Sequence, residues 1–374
     1  MKLTSLLKAT AIGTAFIAST ATAQDAPSVF SIAGSDVGSY RYAEVTAQGE
    51  AIDKQFGTKL RVMPLGNAVA RALALQSGRA DFWMSCSAYY TAFEGTGDFA
   101  AEKWGPQPLR LTLMSNRDAN FSPATKKGSD ITSLADLKDK RVAWVVGDPG
   151  INIQTEAFLA AAGLTTDDVT LVEFPGYTPS VKGLITGDVD MVLAANTSPV
   201  SLEVASSGAG LAWIPIPADD EEAWAKIEAI APFVAKATVT SGAGVGEGES
   251  LELAGYPCPQ YVGLDTTDEE TAYQFTKLLV ESFDGYKDAI TSAPFWQVET
   301  AIKSHIAVPY HKGAIRFFKE IGVWTDELEA RNNALLKHET KLKAAFEEAK
   351  SSFDGSAADF PAFWEEKRAT LNGG

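Results

Sequence analysis

The residues best suited to chemistry fall in two loops, each placed after a predicted strand. Gly34-Ser35-Asp36-Val37-Gly38-Ser39-Tyr40 follows a strand predicted at 29–32 and precedes a helical segment. Gly147-Asp148-Pro149-Gly150-Ile151-Asn152 lies between another predicted strand and a helix that carries Thr155. Small residues at a helix start let backbone N–H groups face a ligand, and the helix N-terminus carries partial positive charge. The hydroxyls of Ser35, Ser39 and Tyr40 add hydrogen-bonding groups to the first loop. Arg41 and Arg71 carry planar, permanently charged forks suited to clamping a carboxylate, although an arginine in a surface ion pair is the commoner case. The chemistry on offer is recognition rather than bond breaking.

Catalytic patterns are missing from the sequence. The histidines are His305, His311 and His338, and none belongs to an H-E-x-x-H arrangement. There is no Cys-x-x-Cys pair, no G-x-S-x-G elbow, and no P-loop or dinucleotide fingerprint. The one S-x-x-K match, Ser5 to Lys8, falls in the leader described below. His305 and His311 flank Pro309 and fit packing or turn hydrogen bonds. The glycine-rich run 242–248 lacks a Lys-Ser/Thr pair and contains an acid, so it reads as a mobile surface loop. No enzymatic activity, cofactor or metal is expected.

These loops must be positioned by alternating strands and helices. Strands are predicted at 29–32, 59–63, 110–114, 141–146 and 169–174, which with the intervening helical patterns is the mark of parallel α/β sheets. Two segments echo each other. Val69, Ala72 and Leu73 at helical spacing lead to Gly78, Asp81, the apolar Phe82-Trp83-Met84 and the polar Ser85-Cys86-Ser87. Val181, Leu184 and Ile185 lead likewise to Gly187, Asp190, Met191-Val192-Leu193 and Asn196-Thr197-Ser198. Each is a helix closed by a left-handed glycine, then a buried strand and a polar loop. Ligands of open α/β sheets bind beyond such strand ends. The echo predicts two similar lobes facing one cleft, with Arg110–Asn116 leaving the first and Gln260–Leu264 returning to it. Thr267, with Glu270 three residues on, matches a capping box before a helix.

The sequence of 374 residues is long enough for two domains. Its net charge of −16 argues against nucleic acid and anionic lipid as partners. Lys2 and Lys8, the short apolar stretch Ala9–Ala18 and Ala21-Thr22-Ala23 make a secretory signal peptide, cleaved after Ala23. The apolar stretch falls short of the roughly 20 residues that span a bilayer, so no membrane insertion of the mature chain is expected. Cys86 and Cys258 are too few for a disulfide scaffold; two separate thiols are expected, with a bridge as the alternative in an oxidising compartment. From Asp326 to Lys350, Leu328, Leu335, Leu342 and Phe346 form an apolar stripe on a charged helix, laid on the body or used for a partner. Residues 351–374 read as a loosely packed end pinned by Phe360, Phe363 and Trp364.

Four segments together resemble the TAXI-type substrate-binding proteins of TRAP (tripartite ATP-independent periplasmic) transporters. The Ser31–Tyr42 loop is similar to that family's opening motif, and Ser77-Gly78-Arg79-Ala80-Asp81 to its S-G-x-A-D stretch. Ser133-Leu134-Ala135-Asp136-Leu137-Lys138 resembles S-L-A-D-L-K, and His311-Lys312-Gly313-Ala314-Ile315-Arg316 resembles H-P-G-A-x-R. The resemblance covers residues 29–324. It departs from the family at three positions on the cleft side: Arg41 replaces a tyrosine, Arg71 an asparagine and Cys86 a glutamine.

The resemblance implies a type II-like periplasmic binding protein with two α/β lobes, a two-crossing hinge and a C-terminal helical extension. Lobe one would combine 27–115 with 262–324, lobe two would be 116–261, and the extension 325–374. The implied function is delivery of a small organic ligand, carboxylate-like, to TRAP membrane subunits by a periplasmic monomer. An ATP-driven importer, or a periplasmic sensor or enzyme on the same fold, is the rival reading. The expected ligand-facing residues are Ser35, Ser39, Tyr40, Arg41, Asn67, Arg71, Ser85, Ser87, Gly150, Asn152, Thr155, Tyr177, Asn196 and Ser198.

Overall fold

The computed structural model describes residues 26–116, 118–290, 292–304 and 306–373. The predicted signal peptide and His305 lie outside these residues. The first sheet holds β1 (Val29–Gly34), β2 (Lys59–Pro64), β3 (Phe82–Ser85), β4 (Leu109–Met114) and, from far along the chain, β12 (Gln260–Leu264). Their order is β2-β1-β3-β12-β4. β1 runs parallel to β2 and β3, whereas β12 is antiparallel to both of its neighbours.

The second sheet system joins β5 (Asp118–Thr125), β8 (Val192–Ala195), β9 (Ala212–Trp213), β10 (Ala235–Val239) and β11 (Leu251–Pro257). A parallel pair, β6 (Arg141–Val145) and β7 (Thr170–Phe174), touches it through a bridge from Val142 to Met191. The chain crosses between the systems twice, from β4 to β5 and from β11 to β12. The expected two-lobed α/β architecture is therefore present.

Each system has its own core. One is built around Phe30, Phe82, Phe275 and Trp296; the other around Phe158, Val181, Val192 and Trp213. Phe82 and Phe275 stack at 4.0 Å between ring centroids. Tyr40 and Cys86 come from loops of the first sheet yet pack with the second core, which marks them as boundary residues.

The echo has a structural counterpart. α2 (Ala68–Gln76) is followed by Gly78 at φ 69°, and α5 (Tyr177–Thr186) by Gly187 at φ 74°. In the first lobe the Asp81 carboxylate accepts the Ser31 N–H of β1 at 2.7 Å. In the second, the Asp190 carboxylate accepts the Arg141 N–H of β6 at 2.9 Å. In both lobes the aspartate after the glycine turn ties that turn to a neighbouring strand.

Three expectations need correction. The helix Glu269–Glu281 is capped by Asp268, which accepts from the Thr271 N–H at 2.9 Å. The Thr267 hydroxyl instead accepts from the Leu264 N–H, so it closes the preceding turn. Cys86 and Cys258 are paired, not separate. The register of β3 against β12 sets Ser85 opposite Gln260 and brings the two Cα atoms to 5.1 Å, well within bridging reach.

The tail is helical and pinned by Phe360, Phe363 and Trp364, as the sequence led one to expect. It folds as a helix, Phe360–Ala369, laid on the long helix Asp326–Ser352. Trp364 is fully buried, meets Phe346 edge-on at 5.0 Å and donates its indole N–H to Gly95 O. The apolar stripe thus serves the first lobe's core. The start of the glycine-rich run is the third correction. Ala243 is buried and its carbonyl accepts the Trp213 indole N–H, so that segment is anchored.

Candidate ligand-binding cleft

The two lobes meet at the strand ends where the sequence places its polar loops. Local capping shapes this boundary. α1 (Tyr40–Phe56) begins at Ser39, whose hydroxyl accepts the Tyr42 N–H and donates to Asp36 O at 2.8 Å. α4 (Pro149–Ala161) begins at Asp148, with proline in its first turn where no N–H is missed. Gly150 lies so close to Ser87 and Ala88 of the other lobe that a Cβ there would collide with Ala88 backbone.

Backbone and side chains hold the lobes together. Val69 N–H donates to Gly147 O at 2.9 Å, Val200 N–H to Gly38 O at 3.2 Å, and Thr178 N–H to the Asp36 carboxylate at 3.0 Å. Arg71 pairs with Asp148 at 2.7 Å, both side chains almost wholly out of water. Its second contact is Leu65 O at 2.7 Å. Burial lowers the Arg71 pKa; Asp148 offsets part of that, and the like charge of Arg41 adds to it.

Arg41 differs from Arg71. It is only 7% exposed, yet no carboxylate stands within ion-pair distance among the described residues, and its Nε has no hydrogen-bond partner. Burial acts to lower its pKa, but Tyr40, Asp148, Tyr256 and Asp36 around it more than compensate. Tyr177 and Tyr256 from the second lobe are buried with hydroxyl pKa values pushed up by that burial; Arg41 draws both back. The guanidinium therefore sits between the lobes among phenols.

The other expected residues divide into two groups. Ser35, Ser85 and Thr155 are buried with hydroxyls that have no partner among the described residues. Asn196 donates from Nδ2 to Ser241 O at 2.9 Å, and its Oδ1 has no partner among the described residues. These are groups still able to take a ligand. The rest are committed. Asn67 caps α2 through the Ala70 N–H, and both ends of the Asn152 carboxamide bond to Val145. Ser87 accepts from Gln154 Nε2 at 3.1 Å, Tyr177 accepts the Ala195 N–H at 3.1 Å, and Ser198 donates to Gly38 O at 3.3 Å. The Tyr40 hydroxyl lies 3.0 Å from Cys86 Sγ and 2.7 Å from Cys258 Sγ.

Sequence reasoning missed Gln154, Ser201 and Tyr256. Gln154 Oε1 is buried without a partner among the described residues, Ser201 reaches the Tyr177 hydroxyl, and Tyr256 comes to the same zone from β11. Gln154 was signalled by its place in the first turns of α4. Tyr256 carried no signal, because it enters from the second crossing.

Residues 32–322 match the model of one known family. The chain belongs to the NMT1-like family. Solved structures that resemble this NMT1-like chain include a protein from Bordetella bronchiseptica RB50, at 16% identity and a TM-score of 0.46 over 92% of this chain and 98% of that one. The alkanesulfonate-binding protein from Xanthomonas axonopodis pv. citri, bound to MOPS, matches at 14% identity and 0.45, over 83% of this chain and 84% of that one. The periplasmic aliphatic sulphonate binding protein from Escherichia coli matches at 13% and 0.39, over 79% and 85%. Among the described residues of the NMT1-like chain, no helix is long and apolar enough to cross a membrane. No group of three or more His, Cys, Asp or Glu side chains among them is placed to hold a metal.

Proposed function

We propose that this chain is an extracytoplasmic solute-binding protein that closes two lobes around a small anionic organic ligand. The observation that carries this reading is the Arg41 guanidinium, buried between the lobes without an ion pair and surrounded by polar groups of both. Asp148 and Asp36 act on that charge only from beyond ion-pair distance, so a carboxylate or similar anion that reaches it gains a direct charge-assisted hydrogen bond away from water. Ser35, Ser85 and Thr155 supply further donors. Micromolar affinity requires only ~8 kcal/mol, within reach of a few such bonds plus burial of apolar surface.

The protein acts by hinge closure and carries out no reaction itself. In this reading its leader is removed after Ala23, it works in the periplasm as a monomer, and it hands the ligand to TRAP-type membrane subunits. The ordered motifs from Ser31 to Arg316 support that partner. An ATP-driven importer would use the same two-lobed carrier, and co-purification with membrane subunits separates the two. The ligand assignment is tested by calorimetric titration with a panel of carboxylates and sulfonates. Arg41→Ala should weaken the best ligand at least tenfold; unchanged affinity would discard the anion reading.

A further inference from the structure

The Cys86–Cys258 disulfide lies where the lobes meet. Cys86 follows β3 of the first sheet, and Cys258 sits in the second crossing, between β11 and β12. They are only 1% and 0% exposed, and both pack with the second lobe's core. The first crossing is tied to the same point, because the Ser115 N–H donates to Pro259 O at 2.9 Å.

Thiol–disulfide exchange needs a thiolate to reach a sulfur, so what covers the sulfurs governs its rate. The Tyr40 hydroxyl lies against both of them. Lobe two in turn closes over the loops that carry Cys86 and Tyr40. On one side α4 reaches the residues after Cys86: Gln154 donates to Ser87 Oγ at 3.1 Å, and Gly150 abuts Ala88. On the other, the start of α6 (Pro199–Ser206) reaches the loop before Tyr40, where the Val200 N–H and the Ser198 hydroxyl donate to Gly38 O. Parting of the lobes breaks these contacts and draws the second core away from the sulfurs.

We propose that this disulfide is a thiol-exchange site gated by the lobes: a dithiol reduces it in the open chain and is shut out of the closed one. The inference rests on the reading of this chain as a closing two-lobed binder, to which it adds a redox control. A thiolate of the dithiol bonds to one cysteine sulfur and displaces the other as a thiolate. The reagent's second thiolate then attacks its own sulfur in the mixed disulfide, so the reagent leaves as a cyclic disulfide. Two electrons pass to the protein, and the two cysteine thiolates take protons from water. Reduction releases the second crossing from its covalent tie to the end of β3. The unloaded chain thus loses a restraint at its hinge that a chain held closed by its ligand keeps.

The test follows reduction of the full chain by dithiothreitol in native buffer, with the freed thiols alkylated by iodoacetamide and counted by intact mass. Arg71→Ala removes an ion pair between the lobes and Gly150→Ala obstructs their closure; each should be reduced at least tenfold faster than the parent. Phe318→Leu weakens the first lobe's core where Phe318 meets Tyr310 and Trp324, and it should match the parent's rate. Solution scattering on the same samples reports the opening. A variant with a larger radius of gyration and the parent's rate overturns the proposal and leaves the closing-lobe reading intact. Unchanged radius and unchanged rate in both boundary variants overturn the two together. Equal acceleration in Phe318→Leu also overturns the gate, because it assigns the reaction to global unfolding.

Discussion

Arg71 of α2 and Asp148 at the start of α4 form a 2.7 Å ion pair that joins the two lobes where both side chains are shielded from water. Stranding one member of a buried pair costs about 3–5 kcal/mol. Here the stranded Asp148 can escape that cost by reaching water, and lobe opening provides the route. Arg71→Ala should therefore increase the radius of gyration in solution scattering while the lobes stay folded. An unchanged radius would show that the pair does not hold the lobes together.

Cys86 and Cys258 close a covalent loop with a sequence separation of 172 between the first lobe's sheet and the second crossing. A cross-link over so long a loop restricts the unfolded chain, and its loss typically costs about 2–4 kcal/mol. The Cys86→Ser/Cys258→Ser variant should unfold at correspondingly lower urea. Reductant should lower the midpoint of the parent protein but leave that of the variant alone.

Much of the fold was legible because period and punctuation agree with it. The glycine turns at Gly78 and Gly187 and the aspartates that follow them are local signals, and each performs a local task. The cleft was only partly legible. Arg41 stood out by type and loop position, but its lack of an ion pair depends on where Asp148 and Asp36 spend their carboxylates. Asn67 and Asn152 have the right type in the right loops, yet their nearest backbone groups take them first. Tyr256 and the cysteine pair depend on the return crossing, a long-range register that no local pattern encodes. In the tail the pinning residues were legible, but the partners of Trp364, Gly95 and Phe346, lie far along the chain or on another element and were not.

His311 caps the helix Lys312–Glu320 as a neutral ring. Its Nδ1 accepts the Gly313 N–H at 3.1 Å and its Nε2 faces Thr267 O at 3.0 Å. Burial lowers its pKa below the ordinary imidazole value. The unfolded chain then takes up the proton more readily than the folded one, so stability rises with pH in this range. The contribution is complete above the unfolded value of about 6.5 and is lost as pH falls toward the folded one. His311→Asn, which can still cap the helix, should flatten the decline in urea midpoint between pH 7 and 5. An undiminished decline would assign that pH dependence to other groups.

Gly150 lies at the closest approach of α4 to Ala88 of the opposite lobe. It is the second residue of α4 and has no positive φ, so alanine would be favoured there through the unfolded chain, by about 0.4–1 kcal/mol. The space across the cleft opposes that gain, because a Cβ would enter Ala88 backbone, which cannot yield as a flexible side chain could. Gly150→Ala should therefore leave each lobe as stable as before, or slightly more so, while preventing full closure. The expected signature is an unchanged or raised melting temperature without ligand, together with at least a tenfold loss of affinity for whichever anion the parent binds best. Equal affinity would mean that the ligand is held without this contact between the lobes. A fall in melting temperature instead would place the glycine's role inside its own lobe.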